Sequence, residues 1–72
     1  MKAGDLLALL RRKPLRYEVA RVSGSHQILE SAAGYPPLVF AWHGTKTIPP
    51  GMVRKILVKD VGLSPEEARA LL

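Results

Sequence analysis

His26 is the side chain of this 72-residue protein with the clearest capacity for chemistry. It follows Gly24 and Ser25 in the stretch SGSHQ, where a turn passes into a strand. An imidazole titrates near neutral pH, so a single histidine can act as a general acid or base without a cofactor. Neighbouring residues on a strand face opposite ways, which argues against Ser25 as a nucleophile activated by His26.

Few other residues are candidates for catalysis or metal binding. His43 precedes Gly44 at the end of an apolar run, and we interpret it as a strand-terminal residue that bonds to the backbone. The two histidines and the scattered carboxylates lack metal-site spacing, and the chain has no cysteine. The loop at 44–51 does not follow the phosphate-loop pattern. We therefore expect neither a metal ion nor a cofactor.

Cleavage of RNA is a reaction that this inventory permits. The 2′-hydroxyl of RNA can attack the adjacent phosphodiester, so the protein needs to supply only an acid–base group and positive charge. The chain has 11 Lys and Arg against 6 Asp and Glu, a net charge of +5. That excess favours a polyanionic partner, either nucleic acid or an acidic protein surface, although a solvated basic surface would also explain it.

Five residues are predicted to contact RNA, four through phosphates and one by stacking on a base. They are Arg21, Trp42, Lys46, Arg54 and Lys55. Phe40 shares a strand face with Trp42, and the alternation leaves open whether that face is exposed or fills the core. The basic residues of the second half have a structural alternative as the solvated face of a helix.

Hydrophobic periodicity predicts one helix followed by three strands. Apolar residues with helical spacing predict a helix over 3–12 that ends before Pro14. Its inward face is predicted to consist of Ala3, Leu6, Leu7 and Leu10. Alternating or continuous apolar residues predict strands at 16–22, 26–30 and 38–43. The first two strands form a hairpin in which Gly24 and Ser25 are the structural pivot.

Two further helices are predicted after the strands. Pro50 suits a first turn and Gly62 a C-terminal left-handed residue, which delimits a helix over 52–61. Ser64, with Glu67 three residues later, has the pattern of a capping box that begins a short helix over 64–72. The predicted fold class is therefore α+β, in the order α-β-β-β-α with an extra C-terminal helix.

Three antiparallel strands covered on one face by helices would give one small domain over residues 1–72. The opposite sheet face then stays open, and on a basic domain we expect function there. No apolar run is long enough to cross a membrane, and the first residues lack the order of a signal peptide. We expect a cytoplasmic protein.

Two stretches resemble the HicA toxin family of bacterial mRNA interferases. One is VARVSGSHQIL, and the other is WHGTKTIPPGMVRKILVKDVGLSPEEARALL. The opening MKAGDLLALLRR is also similar to the first helix of that family, so the resemblance covers nearly the whole chain.

The resemblance implies a fold like that of double-stranded-RNA-binding domains. It also implies the toxin component of a type II toxin–antitoxin system, an endoribonuclease that cleaves mRNA without a metal and arrests translation. His26 would be its catalytic residue, and an antitoxin of the HicB family would cover the active surface. A non-catalytic RNA-binding module and a degenerate toxin that acts only through protein contacts are the alternatives.

Overall fold

The computed structural model describes residues 1–72 and contains a three-stranded antiparallel sheet and three α-helices. The elements are α1 (Ala3–Arg11), β1 (Tyr17–Ser23), β2 (His26–Ser31), β3 (Leu38–Phe40), α2 (Pro50–Lys55), a π-helical segment (Ile56–Asp60) and α3 (Pro65–Leu71). The strands lie in the order β1-β2-β3. The predicted α+β class and α-β-β-β-α order are confirmed. No helix has the length and apolar character needed to span a bilayer.

One hydrophobic core holds the elements together. Its sixteen buried side chains are all apolar or aromatic, and no polar or charged residue is buried. The sheet contributes alternate residues from a single face, among them Leu29, Leu38 and Phe40. The other face is open, and Val39 there is 65% exposed. Phe40 therefore fills the core, which decides the question that the alternation had left open.

The third strand is shorter than predicted. It ends at Phe40, so the prediction of a strand that reaches His43 was wrong. Phe40 pairs with Gln27, and β2 itself begins one residue earlier, at His26. Residues 41–43 consequently have almost no neighbouring strand with which to form ladder hydrogen bonds. His43 lies in a loop instead of at a strand end.

The N-terminus of α1 is capped by a distant loop and not by a side chain. Its N-cap, Lys2, forms no capping bond through its side chain. The Ala3 N–H donates to the Lys46 carbonyl at 2.8 Å, and the Gly4 N–H donates to the Gly44 carbonyl at 3.0 Å. A Cβ on Gly4 would lie 3.3 Å from that Gly44 oxygen, so glycine permits the close approach. These bonds satisfy helix donors that otherwise lack partners.

The inward face of α1 differs slightly from the predicted one. Ala3, Leu6 and Leu10 are buried as expected, but Leu9 is buried with them and Leu7 is only partly covered. The helix is therefore rotated toward Leu9, because its first turn is held against the loop at 44–46.

The second helix begins two residues before the predicted start and continues as a π-helix after Lys55. Pro50 is its first residue, and beyond Lys55 the Val61 N–H donates to Ile56, five residues back, at 2.9 Å. Residues five apart lie on nearby sides of a π-helix, and here Lys55 Nζ lies 3.5 Å from Asp60 Oδ2. Val53, Ile56 and Leu57 of this segment face the core, and its basic side chains are exposed. Gly62 follows in the left-handed region, with φ of 93°.

The last helix, α3, is fixed at both ends. Ser64 and Glu67 form the predicted capping box: the Glu67 N–H donates to Ser64 Oγ at 3.1 Å, and the Ser64 N–H donates to Glu67 Oε1 at 3.0 Å. The bonds from Ser64 lower the pKa of the Glu67 carboxyl. At the other end Arg12 Nη2 donates to the Leu71 carbonyl at 3.2 Å, which ties α3 to the end of α1.

Tyr17 joins the start of β1 to the loop before β3. Its ring is fully buried, and its hydroxyl donates to the Pro36 carbonyl at 2.6 Å. Burial raises the pKa of the Tyr17 phenol, and the neighbouring Tyr35 raises it further. The folded protein thus favours the protonated phenol more strongly than the unfolded chain does.

Replacing Tyr17 should affect stability in two separable ways. The Tyr17→Phe variant loses the bond to Pro36 and should unfold with a free energy lower by about 1 kcal/mol at neutral pH. Because the pKa of Tyr17 is higher in the folded protein than in the unfolded chain, its protonated phenol stabilises the fold at any pH below the ordinary value of 10.0. That contribution is lost as the pH rises through the pKa of the folded state. Wild type should therefore lose stability above pH 10, whereas Tyr17→Phe should lose less.

Urea unfolding of wild type and Tyr17→Phe, at neutral pH and above pH 10, tests this prediction. Tyr35→Phe is the control, because it removes the neighbouring phenol and keeps the Pro36 bond. An equal alkaline loss in wild type and Tyr17→Phe would contradict the assignment.

Candidate functional site

His26 lies at the tip of a hairpin that extends beyond the core. Gly24 and Ser25 are the two residues between β1 and β2, and Gly24 has φ of 61° while Ser25 does not have a positive φ. That combination matches a type II′ turn, which favours glycine first. Every residue from 18 to 26 is exposed. His26 opens β2 opposite Ser23, with its side chain accessible to solvent.

The strand register defines which side chains share the open sheet face with His26. Since Leu29 faces the core, its neighbours two residues apart do so too, and the residues between them face outward. Residues directly opposite on antiparallel strands share a face. The open sheet face therefore consists of Glu18, Arg21, Ser23, His26, Ile28, Glu30 and Val39.

A β-bulge at Ala20 brings Arg21 to this face. Val19 pairs with Leu29 and Arg21 pairs with Ile28, which leaves Ala20 without a partner on β2. Strict alternation from Tyr17 would have put Arg21 on the core side. The extra residue shifts the alternation by one, so Arg21 joins His26 on the open face.

Arg21 and His26 are diagonal neighbours on adjacent strands. Arg21 lies opposite Ile28, which is two residues beyond His26 on β2. Ser23, two residues beyond Arg21 on β1, lies directly opposite His26. Diagonal cross-strand neighbours have Cα atoms about 7–8 Å apart, within reach of long side chains. A phosphate placed over Ser23 could therefore meet both an imidazole and a guanidinium. This pairing is the chemical centre of the candidate site.

The open face is electrostatically polarised along the strands. Glu18 and Glu30 pair directly opposite each other at the end away from the hairpin tip. Two carboxylates in that position repel each other and any approaching anion. Ile28, directly opposite Arg21, and Val39 beside it form an apolar strip between this glutamate pair and the row of Ser23 and His26. An anionic ligand is consequently attracted to the tip and repelled from the base of the sheet.

The other four residues predicted to contact RNA do not belong to the open sheet face. Trp42 is partly buried and packs against the core, and Lys46 is exposed in the loop that caps α1. Arg54 and Lys55 are exposed on α2, whose inward side chains share the core with the inner sheet face. They lie in the helical layer, across the core from the open sheet face. Contact of these four with RNA stays a prediction.

His43 has a role in loop geometry through its backbone. Its carbonyl accepts a bond from the Lys46 N–H at 2.9 Å, which closes the turn that presents two carbonyls to α1. The side chain is exposed and forms no hydrogen bond to the rest of the protein.

Two features near His26 were not predicted from the sequence. The bulge had a signal, since the inner apolar residues Tyr17, Val19 and Val22 change their spacing from two to three. The second feature is Gln27, whose Oε1 is buried without a hydrogen-bond partner on the inner face. The sequence did not indicate which face of the sheet Gln27 would occupy.

Paired cysteines test the face assigned to Arg21, since the natural chain has none. Arg21→Cys with Ile28→Cys places two thiols directly opposite on one face, at a separation that a disulfide spans. We expect this pair to oxidise readily, as measured by free-thiol titration.

Val22→Cys with Ile28→Cys is the matched control and should stay reduced, because Val22 belongs to the inner face. Without the bulge, strict alternation would put Arg21 and Ile28 on opposite faces, and the first pair would also stay reduced. Failure of the Arg21→Cys/Ile28→Cys pair to oxidise would therefore overturn the assignment of Arg21 to the open face.

Comparison with known proteins places this hairpin in a family context. A family model described as HicA toxin of bacterial toxin–antitoxin matches residues 3–63. The matched segment runs from the start of α1 to the residue before the capping box of α3, and it includes His26 and the bulge. Searches of curated proteins and of solved structures give no match.

Proposed function

The chain belongs to the HicA toxin family of bacterial toxin–antitoxin systems, and from that premise we propose that it is an endoribonuclease that cleaves mRNA without a metal ion. His26 is the proposed general acid–base residue and Arg21 the proposed phosphate-binding residue. The observation that carries this proposal is their juxtaposition on the open sheet face at the exposed hairpin tip.

The chemistry requires few groups because RNA brings its own nucleophile. The neutral imidazole of His26 accepts the proton of a 2′-hydroxyl, whose oxygen attacks the adjacent phosphorus. The bond from phosphorus to the 5′-oxygen breaks, and the departing 5′-hydroxyl takes up a proton from the imidazolium or from water. The products are a 2′,3′-cyclic phosphate and a free 5′-hydroxyl. Arg21 offsets the negative charge that grows on the phosphoryl oxygens.

The remaining predicted contacts would serve flanking nucleotides. Lys46 and the exposed part of Trp42 follow β3 in the chain and would bind a phosphate and a base, respectively. Arg54 and Lys55 would join them only if the strand passed around to the helical layer. Lys55 already pairs with Asp60, so Arg54 is the stronger contact of the two.

The family also implies an antitoxin partner, which we propose to be HicB-like and to cover the open sheet face. The apolar strip of Ile28 and Val39 supports this, because Val39 is exposed, Ile28 is half-buried, and both lie beside charged residues with no covering element. A partner seated there would also occlude His26. The proposed site of action is the cytoplasm, where mRNA is accessible.

The decisive variant is His26→Ala. If His26 is the acid–base residue, the variant should cleave RNA about 10²–10⁴-fold more slowly than wild type in buffer that contains EDTA. Gln27→Leu is the matched control, since it changes the next residue, faces the core and replaces an unpaired buried oxygen. It should fold at least as stably as wild type and keep its cleavage rate.

The outcomes of this experiment separate the candidate functions. A folded His26→Ala variant that cleaves as fast as wild type removes His26 from the mechanism. RNA binding without cleavage by wild type supports a non-catalytic RNA-binding module. No RNA affinity even at low salt supports a degenerate toxin that acts through protein contacts alone.

Arg21 should contribute to both affinity and rate. Arg21→Gln loses one phosphate contact, so the slope of log affinity against log salt should become shallower by about 1. Its cleavage rate at saturating RNA should fall by about 10²-fold, as expected when one charge-stabilising donor is removed. Lys59→Gln, an exposed cation of the π-helical segment, is the control and should keep the rate. Equal rates in the two variants would rule out the role of Arg21.

A further inference from the structure

A groove runs over the helical side of the protein, across the core from His26. One hollow of about 420 Å³ is lined by Arg54, Pro65, Ala68, Arg69 and Leu72. A second hollow of about 270 Å³ lies on the other side of Arg54 and Pro65, which line both. We call the two together the helical groove. Its wall on one side is α3, which lies outside the residues matched by the family model.

The shape of the helical groove is set before any ligand binds. The capping box holds the first turn of α3, Arg12 holds its last carbonyl, and Ala68 anchors its middle in the core. A ligand would therefore meet an ordered wall and lose little binding free energy to arranging it.

The groove combines an apolar floor with unpaired positive charge. Pro65 and Leu72 supply aliphatic surface beside the buried Ala68, and Leu72 is 62% exposed. Arg54 and Arg69 stand on the rim, and neither has an ion-pair partner, because the ion pair in this region joins Lys55 to Asp60.

No carboxylate forms an ion pair with Arg54 or Arg69, and this includes Glu66, one helical turn before Arg69. Asp60 is held by Lys55, and Glu67 is engaged with Ser64 in the capping box. Positive charge on the rim therefore remains available to a partner that carries carboxylates.

We propose that the helical groove binds a short acidic segment of a partner protein, with its carboxylates at Arg54 and Arg69 and small aliphatic side chains on the floor. Charge complementarity and the apolar floor together support a peptide. No aromatic side chain lines the groove to stack on a base, which disfavours single-stranded RNA. A second copy of this chain is disfavoured because each copy carries a net charge of +5.

An NMR titration with a synthetic peptide tests the proposal. The probe is a short helix-forming peptide with Leu on one face and Glu beside it, and its control replaces every Glu with Lys. The acidic peptide should shift the amides of Arg54, Ala68 and Arg69 and leave those of Arg21 and His26 in place. The Lys peptide should shift neither group.

Charge reversal at Arg69 supplies the matched variants. Arg69→Glu should bind the acidic peptide at least about tenfold more weakly, since it converts an attraction into a repulsion. Lys13→Glu makes the same change in net charge at a residue that lines neither hollow and should bind as wild type does. RNA cleavage should be unchanged in Arg69→Glu, and peptide binding should persist in His26→Ala. The groove and the proposed nuclease site can therefore fail independently.

Three results would overturn the proposal. Equal binding of the acidic and Lys peptides would show that charge complementarity is absent. Shifts of the Ala68 and Arg69 amides by a short RNA, with weaker RNA binding by Arg69→Glu, would make the groove a nucleic-acid surface. Concentration-dependent association in sedimentation, abolished by Arg69→Glu, would make it an interface between copies.

Discussion

Coverage of only one face of the sheet is the constraint on which the structure depends. A 72-residue chain has too little apolar material to bury both faces, and its sixteen buried side chains form a single layer between sheet and helices. All sixteen are apolar or aromatic, so hydrophobic burial is the main interaction that holds the layer together. The second sheet face is consequently free to carry charged residues, an imidazole and an apolar strip at no cost to the core.

The bulge at Ala20 lets one strand serve both faces. The first half of β1 places Tyr17 in the core, where its ring and hydroxyl anchor the loop before β3. Past Ala20 the alternation is reset, and Arg21 is turned toward the open face. Core packing and site geometry are thus set by different halves of the same strand. The proposed chemistry depends on this separation, because the half that carries Arg21 contributes little to stability.

Local signals in the sequence predicted the elements that depend on neighbouring residues. The capping box at Ser64 and the left-handed residue at Gly62 were both correct, since each involves only a few adjacent positions. The end of β3 and the face taken by Arg21 could not be predicted from adjacent residues, because each is set by the length or register of a partner strand. His26 was identified as a candidate from its residue type and turn context. Its juxtaposition with Arg21 could be predicted only from the β-bulge at Ala20. The sequence indicates that bulge through the wider spacing between the inner residues Val19 and Val22.

The loop that caps α1 also has a consequence for how the chain acquires its form. Lys2 pairs with Thr47, and the first helical amides bond to carbonyls at 44 and 46, forty or more residues along the chain. During synthesis from the N-terminus, α1 emerges long before the segment that completes it. Its first turn is left to solvent until that segment has been made, and the core that needs Ile48 and Leu57 closes at the same stage. Both the first-turn bonds of α1 and the core therefore require this later segment, so a partially synthesised chain without it lacks the complete scaffold that presents His26.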